Sequence, residues 1–328
     1  MIRKFFAALG CAVLGAAVML LALPLLPGQL LPHGRAETLA ATEAETAPAE
    51  PEPFDEAVTL RVLVDGAVRE QTLHDYLVCV LLAEVPSGFA AEALKAQACA
   101  ARTFALRQAG AGKHAEADVC ASAACCQGWY APEQWPEHAA AEAAVTETDG
   151  LAVVYDGQLI DATYFSCSGG RTEAAVAVWG GEIPYLQSVP SPGEEDAPRE
   201  TETLTFTAEE FRDRITPARP DADLSGAPET WFGTVRYTEG GGIGTLELGG
   251  ASFTGTELRR LLGLRSTDIE FSPQEDGVTV TTHGFGHRVG LSQYGAEAMA
   301  QAGRRFDEIL LHYYQGTEIR RLTLDGEK

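Results

Sequence analysis

The chain has 328 residues, of which 47 are acidic and 24 are lysine or arginine, so that its formal net charge is −23. Its hydrophobic fraction of 45% is ordinary for a globular protein and allows one large domain or two smaller ones. So strong a negative charge disfavours nucleic acid as a partner, because phosphate backbones are bound by basic surfaces. Neutral or weakly charged polymers remain open as substrates.

The N-terminus carries an apolar run that is long enough to cross a membrane. Residues 5–26 hold no charged side chain, and about 20 apolar residues span a bilayer as a helix. Arg3 and Lys4 precede the run, which predicts a cytoplasmic N-terminus. We therefore predict a single-pass anchor in the cell membrane over residues 1–27, with the rest extracytoplasmic; a cleaved signal peptide is the alternative. Residues 28–56, rich in Pro, Ala, Thr and Glu, are expected to form a flexible acidic linker.

The folded, catalytic part is predicted to cover residues 57–325. Helices mixed with antiparallel hairpins, without regular βαβ alternation, predict an α+β fold. A small β-rich subdomain is expected as an insertion at about 201–280. The clearest elements are hairpins that turn at Asp65-Gly66 and Asp156-Gly157, and helices within 74–83, 90–108, 290–302 and 306–314.

Glu84 is the first residue along the chain that we identify as a candidate catalytic acid. It ends an apolar helical run, and Val85-Pro86 should terminate that helix. Apolar neighbours and the negative end of a helix dipole both disfavour the ionised form, so we expect a raised pKa, as a general acid needs. A glutamate satisfied by a nearby cation or backbone donor is the alternative that this segment leaves open.

Two glycine-rich segments resemble ligand-binding loops. In HGFGHRVGLSQYGA, which begins at His283, Gly284 and Gly286 disfavour a helix and favour a loop that presents His283 or His287 to substrate. The segment SCSGGRT, residues 166–172, offers small hydroxyls and glycines to sugar hydroxyls and lacks the pattern of a serine nucleophile. An ordinary turn is the alternative for both segments.

A cluster of soft ligands suggests a metal. His114, Cys120, Cys125 and Cys126 form the pattern His-x₅-Cys-x₄-Cys-Cys, and four such ligands suit zinc. A site with four protein ligands leaves no position for an activated water, so the expected role of zinc is structural, and catalysis needs no cofactor. A disulfide within the cluster is the alternative.

Three long motifs together resemble the stage II sporulation protein D family, which is related to amidase-enhancer proteins. The motifs are DYLVCVLLAEVPSGFAAEALKAQACAARTFAL (75–106), YFSCSGGRTEAAVAVWGGEIPYLQSV (164–189) and HGFGHRVGLSQYGAEAMAQAG followed by ILLHYYQGTEI (283–319). They occur in the family's order and span nearly all of residues 58–320. The resemblance is therefore far more specific than a short pattern match.

The resemblance implies a lytic transglycosylase that cleaves the MurNAc-GlcNAc bonds of peptidoglycan and leaves 1,6-anhydro ends. Family members remodel the septal wall during engulfment, and a partner amidase is implied that supplies glycan strands stripped of peptides. Glu84 matches the catalytic acid/base, and some members carry zinc where the 114–126 cluster lies. The remaining motif positions that match substrate-site residues are Lys95, Arg102, Ser168, His287, Ser292, Gln293 and Tyr294.

Three departures from the family pattern and three rival functions accompany this interpretation. Cys79 and Cys167 replace residues that are more often small or polar. Arg288 replaces the glycine that usually follows the histidine of the last motif, and we expect it to narrow or charge the groove. The rivals are a non-catalytic wall-binding activator of a partner amidase, a glycosidase that uses water, and a zinc hydrolase. A water-using glycosidase needs a second carboxylate, for which Glu92, Glu142 and Glu173 are the candidates.

Overall fold

The computed structural model describes residues 53–131, 134, 138–195 and 197–324. The predicted anchor, 1–27, and the predicted linker up to residue 52 lie outside these residues. None of the described helices is long and apolar enough to cross a bilayer. The end of the predicted linker is folded: Phe54–Ala57 is a helix with Asp55 buried, so the folded unit begins earlier than residue 57.

Helices and short strands alternate irregularly along the described chain, which confirms the predicted α+β fold. The α-helices are α1 (Phe54–Ala57), α2 (Leu73–Glu84), α3 (Ala91–Ala111), α4 (Ala139–Glu147), α5 (Ala175–Trp179), α6 (Ala208–Ile215), α7 (Gly255–Leu262), α8 (Gln293–Gln301) and α9 (Phe306–Tyr313). The strands are β1 (Thr59–Val64), β2 (Ala67–Thr72), β3 (Val119–Cys120), β4 (Leu151–Tyr155), β5 (Gln158–Leu159), β6 (Tyr164–Phe165), β7 (Thr201–Thr207), β8 (Phe232–Tyr237), β9 (Ile243–Leu248), β10 (Ala251–Phe253), β11 (Asp268–Gln274), β12 (Gly277–His283), β13 (Leu291–Ser292) and β14 (Glu318–Arg321).

The long helix α3 is the centre of the helical part and is buried on two sides. Leu94 and Ala98 pack into a core with β1, α2 and α4, whereas Ala96 and Ala100 pack into another with β4, α8 and α9. Small side chains on both sides let these neighbours approach closely. The helix ends at Gly112, whose φ of 63° is the left-handed conformation that glycine adopts most easily.

Both predicted hairpins are present and turn at their Asp-Gly pairs. Asp65 and Gly66 between β1 and β2 have φ values of 50° and 81°, and the pair between β4 and β5 is similar. Two successive positive φ values match the type I′ turn that suits the twist of paired strands. After β5 the chain enters β6, which pairs in parallel with β13, so that Tyr164 lies opposite Leu291. This pairing brings the second and third sequence motifs together.

Residues 201–283 form a β-rich region with a core of its own. Strand β7 opens the region and β12 closes it, and the two pair in antiparallel register from Thr201–His283 to Thr207–Gly277. Strands β8, β9 and β10 form a second sheet, and helices α6 and α7 pack beside them. The core residues of this region all fall between residues 206 and 280. The chain thus leaves and re-enters the helical part at neighbouring points.

Arg288 joins the β-rich region to the helical part. Its φ is 64° and its side chain is 1% exposed. The guanidinium donates to the carbonyl of Ser168 at 2.7 Å, to that of Gly240 at 2.7 Å and to the Asp268 carboxylate at 3.2 Å. The expectation that Arg288 narrows or charges a groove is therefore wrong, because these partners enclose it.

Candidate active site

A cavity of about 860 Å³ lies where the end of α2, the 123–126 segment, β6, helix α7 and the loop before β13 meet. This volume is within the usual range for a small-molecule or oligosaccharide site. Glu84 is the one acidic side chain among the described residues that line it. Among the described residues of the cavity wall, Glu84 is therefore the one carboxylate available for acid–base chemistry.

Three donors hold the Glu84 carboxylate in place. The backbone N–H of Gly128 donates to Oε1 at 2.5 Å, and the Gln293 amide donates to Oε2 at 3.5 Å. The hydroxyl of Tyr164 donates to the same carboxylate. Helix α2 ends at Glu84, as Val85-Pro86 predicted, so the side chain stands at the helix C-terminus where the chain turns away.

The pKa of Glu84 is raised, because burial in the cavity wall disfavours the charged carboxylate. The hydrogen bonds from Gly128, Gln293 and Tyr164 oppose this effect without cancelling it. The predicted direction is thus confirmed. A glutamic acid that keeps its proton nearer to neutral pH, with donors that stabilise the anion after proton transfer, suits a residue that acts first as acid and then as base.

Tyr164 is a site residue that sequence reasoning missed, although it opens the second motif. Its hydroxyl accepts a hydrogen bond from Gln127 Nε2 at 2.9 Å, and the Gln127 carbonyl oxygen accepts from Tyr76 at 3.1 Å. Burial raises the pKa of Tyr164 well above its ordinary value, so the hydroxyl keeps its proton and donates to Glu84. A buried polar chain of three side chains thus orients the carboxylate.

His287 lines the cavity as predicted, and its ring is neutral. Burial lowers its pKa to about 4, and its Nδ1 accepts the backbone N–H of Val289 at 3.1 Å. The other ring nitrogen donates to the backbone carbonyl of Tyr164. His287 therefore positions the strand that carries Tyr164. It also packs against Trp179, with 5.4 Å between ring centroids.

Trp179 is the second site residue that the sequence did not single out. It lines the cavity at the end of α5, and 46% of its surface is exposed. Large exposed aromatic rings in a cleft offer an apolar face that binds ligands with flat, partly apolar surfaces, as sugar rings have. The ring lies on the His287 side of the cavity and extends the site beyond Glu84.

Three residues expected at the substrate site lie away from the cavity. Lys95 pairs with carboxylates on α3 and α4, the nearer being Glu147 at 2.7 Å. Arg102 is completely buried and binds the Asp55 carboxylate. Ser168 is also completely buried. These side chains are occupied by the fold, so they cannot reach a ligand in the cavity.

The other expected residues lie close to the cavity. Gln293 lines it and contacts Glu84. Ser292 is buried and caps α8, because its hydroxyl accepts the N–H of Gly295 at 3.2 Å. Tyr294 packs edge-on against Phe89, with 5.2 Å between ring centroids. Ser292 and Tyr294 thus fix the start of the helix that presents Gln293.

The structure brings the four predicted metal ligands together. The ligand atoms of His114, Cys120, Cys125 and Cys126 all lie within 4.8 Å of one another, and none of the described cysteines forms a disulfide. His114 Nε2 is 3.3 Å from the Cys126 sulfur. One nitrogen and three sulfur donors at this spacing fit a tetrahedral zinc ion. Gly128, the donor to Glu84, follows the last ligand by two residues.

The fold and site define a class: an α+β domain with a large cavity whose described wall holds one partly buried carboxylate with a raised pKa. The family model described as stage II sporulation protein matches residues 65–155. Stage II sporulation protein D of Bacillus subtilis (strain 168) is 38% identical over an alignment of 265 residues, which covers 77% of this chain and 76% of that protein. Stage II sporulation protein D of Bacillus amyloliquefaciens is 36% identical over 294 residues, covering 85% of this chain and 84% of that protein. The chain belongs to this family of sporulation proteins, and the resemblance seen in its motifs is confirmed.

A more distant relative differs in length. The amidase enhancer of Bacillus subtilis (strain 168) is 28% identical over an alignment of 287 residues, which covers 72% of this chain but 39% of that protein. The similarity therefore concerns one part of that larger protein.

Proposed function

We propose that this chain is a peptidoglycan lytic transglycosylase that cleaves MurNAc-GlcNAc bonds in glycan strands without stem peptides. The enzyme would act on the septal wall that is remodelled during engulfment. The chain would be anchored in the cell membrane, and a partner amidase would supply the strands without stem peptides. The observation that carries the proposal is the lone carboxylate of the described cavity wall, with its raised pKa.

The positions of the three candidate second carboxylates favour a lytic transglycosylase over a glycosidase that uses water. Glu92 pairs with Lys95 and accepts the backbone N–H of Phe306 at 2.8 Å, and Glu173 is buried next to Arg288. Glu142 is exposed on α4. None of the three lines the cavity. A glycosidase of the usual kind needs a second carboxylate near the scissile bond. A transglycosylase in which the sugar's own 6-hydroxyl attacks C1 does not need one.

The reaction can then proceed with Glu84 alone. The protonated carboxyl gives its proton to the leaving glycosidic oxygen as the bond to C1 of MurNAc breaks. The 6-hydroxyl of the same sugar forms a new bond to C1, and its proton passes to the Glu84 carboxylate. Gly128 and Tyr164 donate to the anion between the two steps. The products are a free GlcNAc hydroxyl and a 1,6-anhydroMurNAc end, and no water is consumed.

Zinc at the four-ligand cluster is part of the proposal, as a structural ion. It would bind the His114 nitrogen and the three thiolates and stiffen the loop that ends in Gly128. We expect chelation to lower both the melting temperature and the glycan-cleaving activity, and added zinc to restore both. Metal analysis of the reduced protein, with Cys120→Ser as the matched variant, measures this directly. A metal-free protein with full activity would contradict the assignment.

The proposed activity is tested by mass spectrometry of peptide-free glycan strands incubated with the full-length protein. We expect fragments one water lighter than hydrolysis products, and none with Glu84→Gln. Glu142→Gln, which alters an exposed carboxylate outside the cavity, is the matched control and should cleave normally. Strands left intact by a folded wild-type protein would contradict the proposal.

The similarity to an amidase enhancer favours one second candidate, a non-catalytic activator of a partner amidase. In that case Glu84→Gln should stimulate a purified wall amidase as well as the wild-type protein does. Release of stem peptides, followed with and without each variant, distinguishes this role from glycan cleavage.

A further inference from the structure

The cavity has the opposite charge to the chain around it. Acidic residues outnumber lysine and arginine by 47 to 24 in the sequence, yet the cavity wall carries three cations and one acid among its described residues. The cations are Lys113, Arg199 and Arg259. The acid is Glu84, whose raised pKa favours the neutral form. A local positive surface on an acidic protein attracts an anionic ligand.

Two of these cations have no acidic partner among the residues that the structure describes. No described carboxylate lies within ion-pair distance of Arg259, whose Nε donates to the Leu264 carbonyl at 3.4 Å. Burial lowers the pKa of Arg259, and no acidic group offsets that effect. Arg199 lies over the ring of Phe285, 5.5 Å from its centroid, and is likewise unpaired within the described residues. Lys113 differs, because its ammonium donates to the backbone carbonyl of Cys125.

The two fully buried arginines of the described chain, Arg102 and Arg288, both have carboxylate partners. Arg259 is partly buried and has no such partner among the described residues. A partly buried guanidinium without an anion is costly, since it loses water without gaining an ion pair. An anionic ligand in the cavity would supply the missing partner, and a carboxylate fits the fork of a guanidinium by accepting two hydrogen bonds.

Each of the two arginines lies near a residue of the candidate site. The charge of Arg259 contributes to the lowered pKa of His287, and His287 packs against Trp179. The charge of Arg199 acts on Tyr294, next to the glutamine that contacts Glu84. Arg259 belongs to α7, so the β-rich region contributes directly to the site.

Peptidoglycan has a carboxylate that is free only where the stem peptide has been removed from the glycan strand. The lactyl ether on O3 of muramic acid ends in a free carboxylate when the stem peptide is absent, and in a neutral amide when it is present. Resting on the function proposed above, we infer that Arg199 and Arg259 form a subsite for this lactyl carboxylate. The subsite selects strands from which the peptide has been removed, and the β-rich region serves in substrate recognition.

The test compares two substrates that differ at this group alone: peptide-free strands with free lactyl carboxylates and the same strands converted to lactyl methylamides. We expect wild-type kcat/KM to be about 10- to 100-fold higher on the acid, as for hydrogen bonds to a charged group. The Arg259→Gln and Arg199→Gln variants should lose most of this preference. Their activity should fall on the strands with free lactyl carboxylates and stay unchanged on the methylamide strands. Arg260→Gln, an exposed neighbour outside the cavity, is the matched control and should retain the preference.

A binding measurement separates this inference from the proposed reaction. Calorimetry with the Glu84→Gln protein should give tighter binding of the acid strands than of the methylamide, and Arg199→Gln added to that background should remove the difference. This result would support the subsite even if the wild-type protein cleaved no glycan. Equal affinity for the two strands, or an unchanged preference in both folded arginine variants, would overturn it. Arg199 is exposed, so its variant remains informative if Arg259→Gln does not fold.

Discussion

The basic residues of helix α3 and those of the cavity wall differ in what they bind. On α3, Lys95 and Arg102 belong to the family motif, yet each pairs with carboxylates of its own chain. On the cavity wall, Arg199 and Arg259 lie outside the quoted motifs and have no described carboxylate partner. A basic residue within a motif can thus stabilise the fold, while one outside the motifs lines the cavity.

The largest effect expected from this contrast is on stability. Arg102→Met should leave Asp55 as a buried, unpaired charge and lower the free energy of unfolding by about 3–5 kcal/mol. Lys95→Met, the matched change on the same helix, should cost at most about 1 kcal/mol because its partners are partly exposed. Denaturant unfolding measures both. Below its melting temperature, the Arg102 variant should keep wild-type kcat/KM; a selective loss of substrate affinity would place Arg102 back at the site.

A smaller effect is expected at the backbone donor to Glu84. A Cβ at residue 128 would lie 3.0 Å from Glu84 Oε1 and 3.3 Å from the Ala83 Cβ, so Gly128→Ala should displace the carboxylate. We expect activity to fall about tenfold or more, since small displacements of catalytic groups are costly. Gly88→Ala, where a Cβ has open space, is the control. Steady-state kinetics measure both, and wild-type rates in Gly128→Ala would show that the Gly128 contact is dispensable.

The smallest effect that we expect is on the pH dependence of stability and activity. Because the folded pKa of Glu84 is raised, its contribution to stability is complete below the unfolded value of about 4.3 and is lost as pH rises through the folded value. Glu84→Gln should therefore be more stable than wild type at neutral pH, and this difference should vanish in acid. Wild-type activity should decline as pH rises through the same pKa. Melting curves across pH, with Glu142→Gln as reference, test the sign; a variant less stable at neutral pH contradicts it.

Local patterns predicted the elements of the fold well. The Asp-Gly turns, the end of α2 at Val85-Pro86 and the end of α8 before Gly303 depend on neighbouring residues alone. The start of the folded unit was placed too late, because Asp55 owes its burial to a contact with Arg102, 47 residues away. Such a contact leaves no periodic signal in the sequence.

The site was predicted only in part, for the same reason. Glu84 carried a local signal, since an apolar run ends there before a proline. Tyr164 and Trp179 lie within a quoted motif, but their roles depend on the pairing of β6 with β13 and on the His287 ring. Arg259 lies on the short helix α7, within a region that the sequence predicted only as a small β-rich insertion. Only the packing of the β-rich region brings it to the cavity.

Cleavage of peptide-free strands in water enriched in oxygen-18 tests whether Glu84 acts alone, without an attacking water. We expect 1,6-anhydro ends without the heavy isotope, and no such ends with Glu84→Gln. Reducing ends that carry one oxygen-18 atom would show that water attacks C1, and would contradict a site with Glu84 as its lone acid and base.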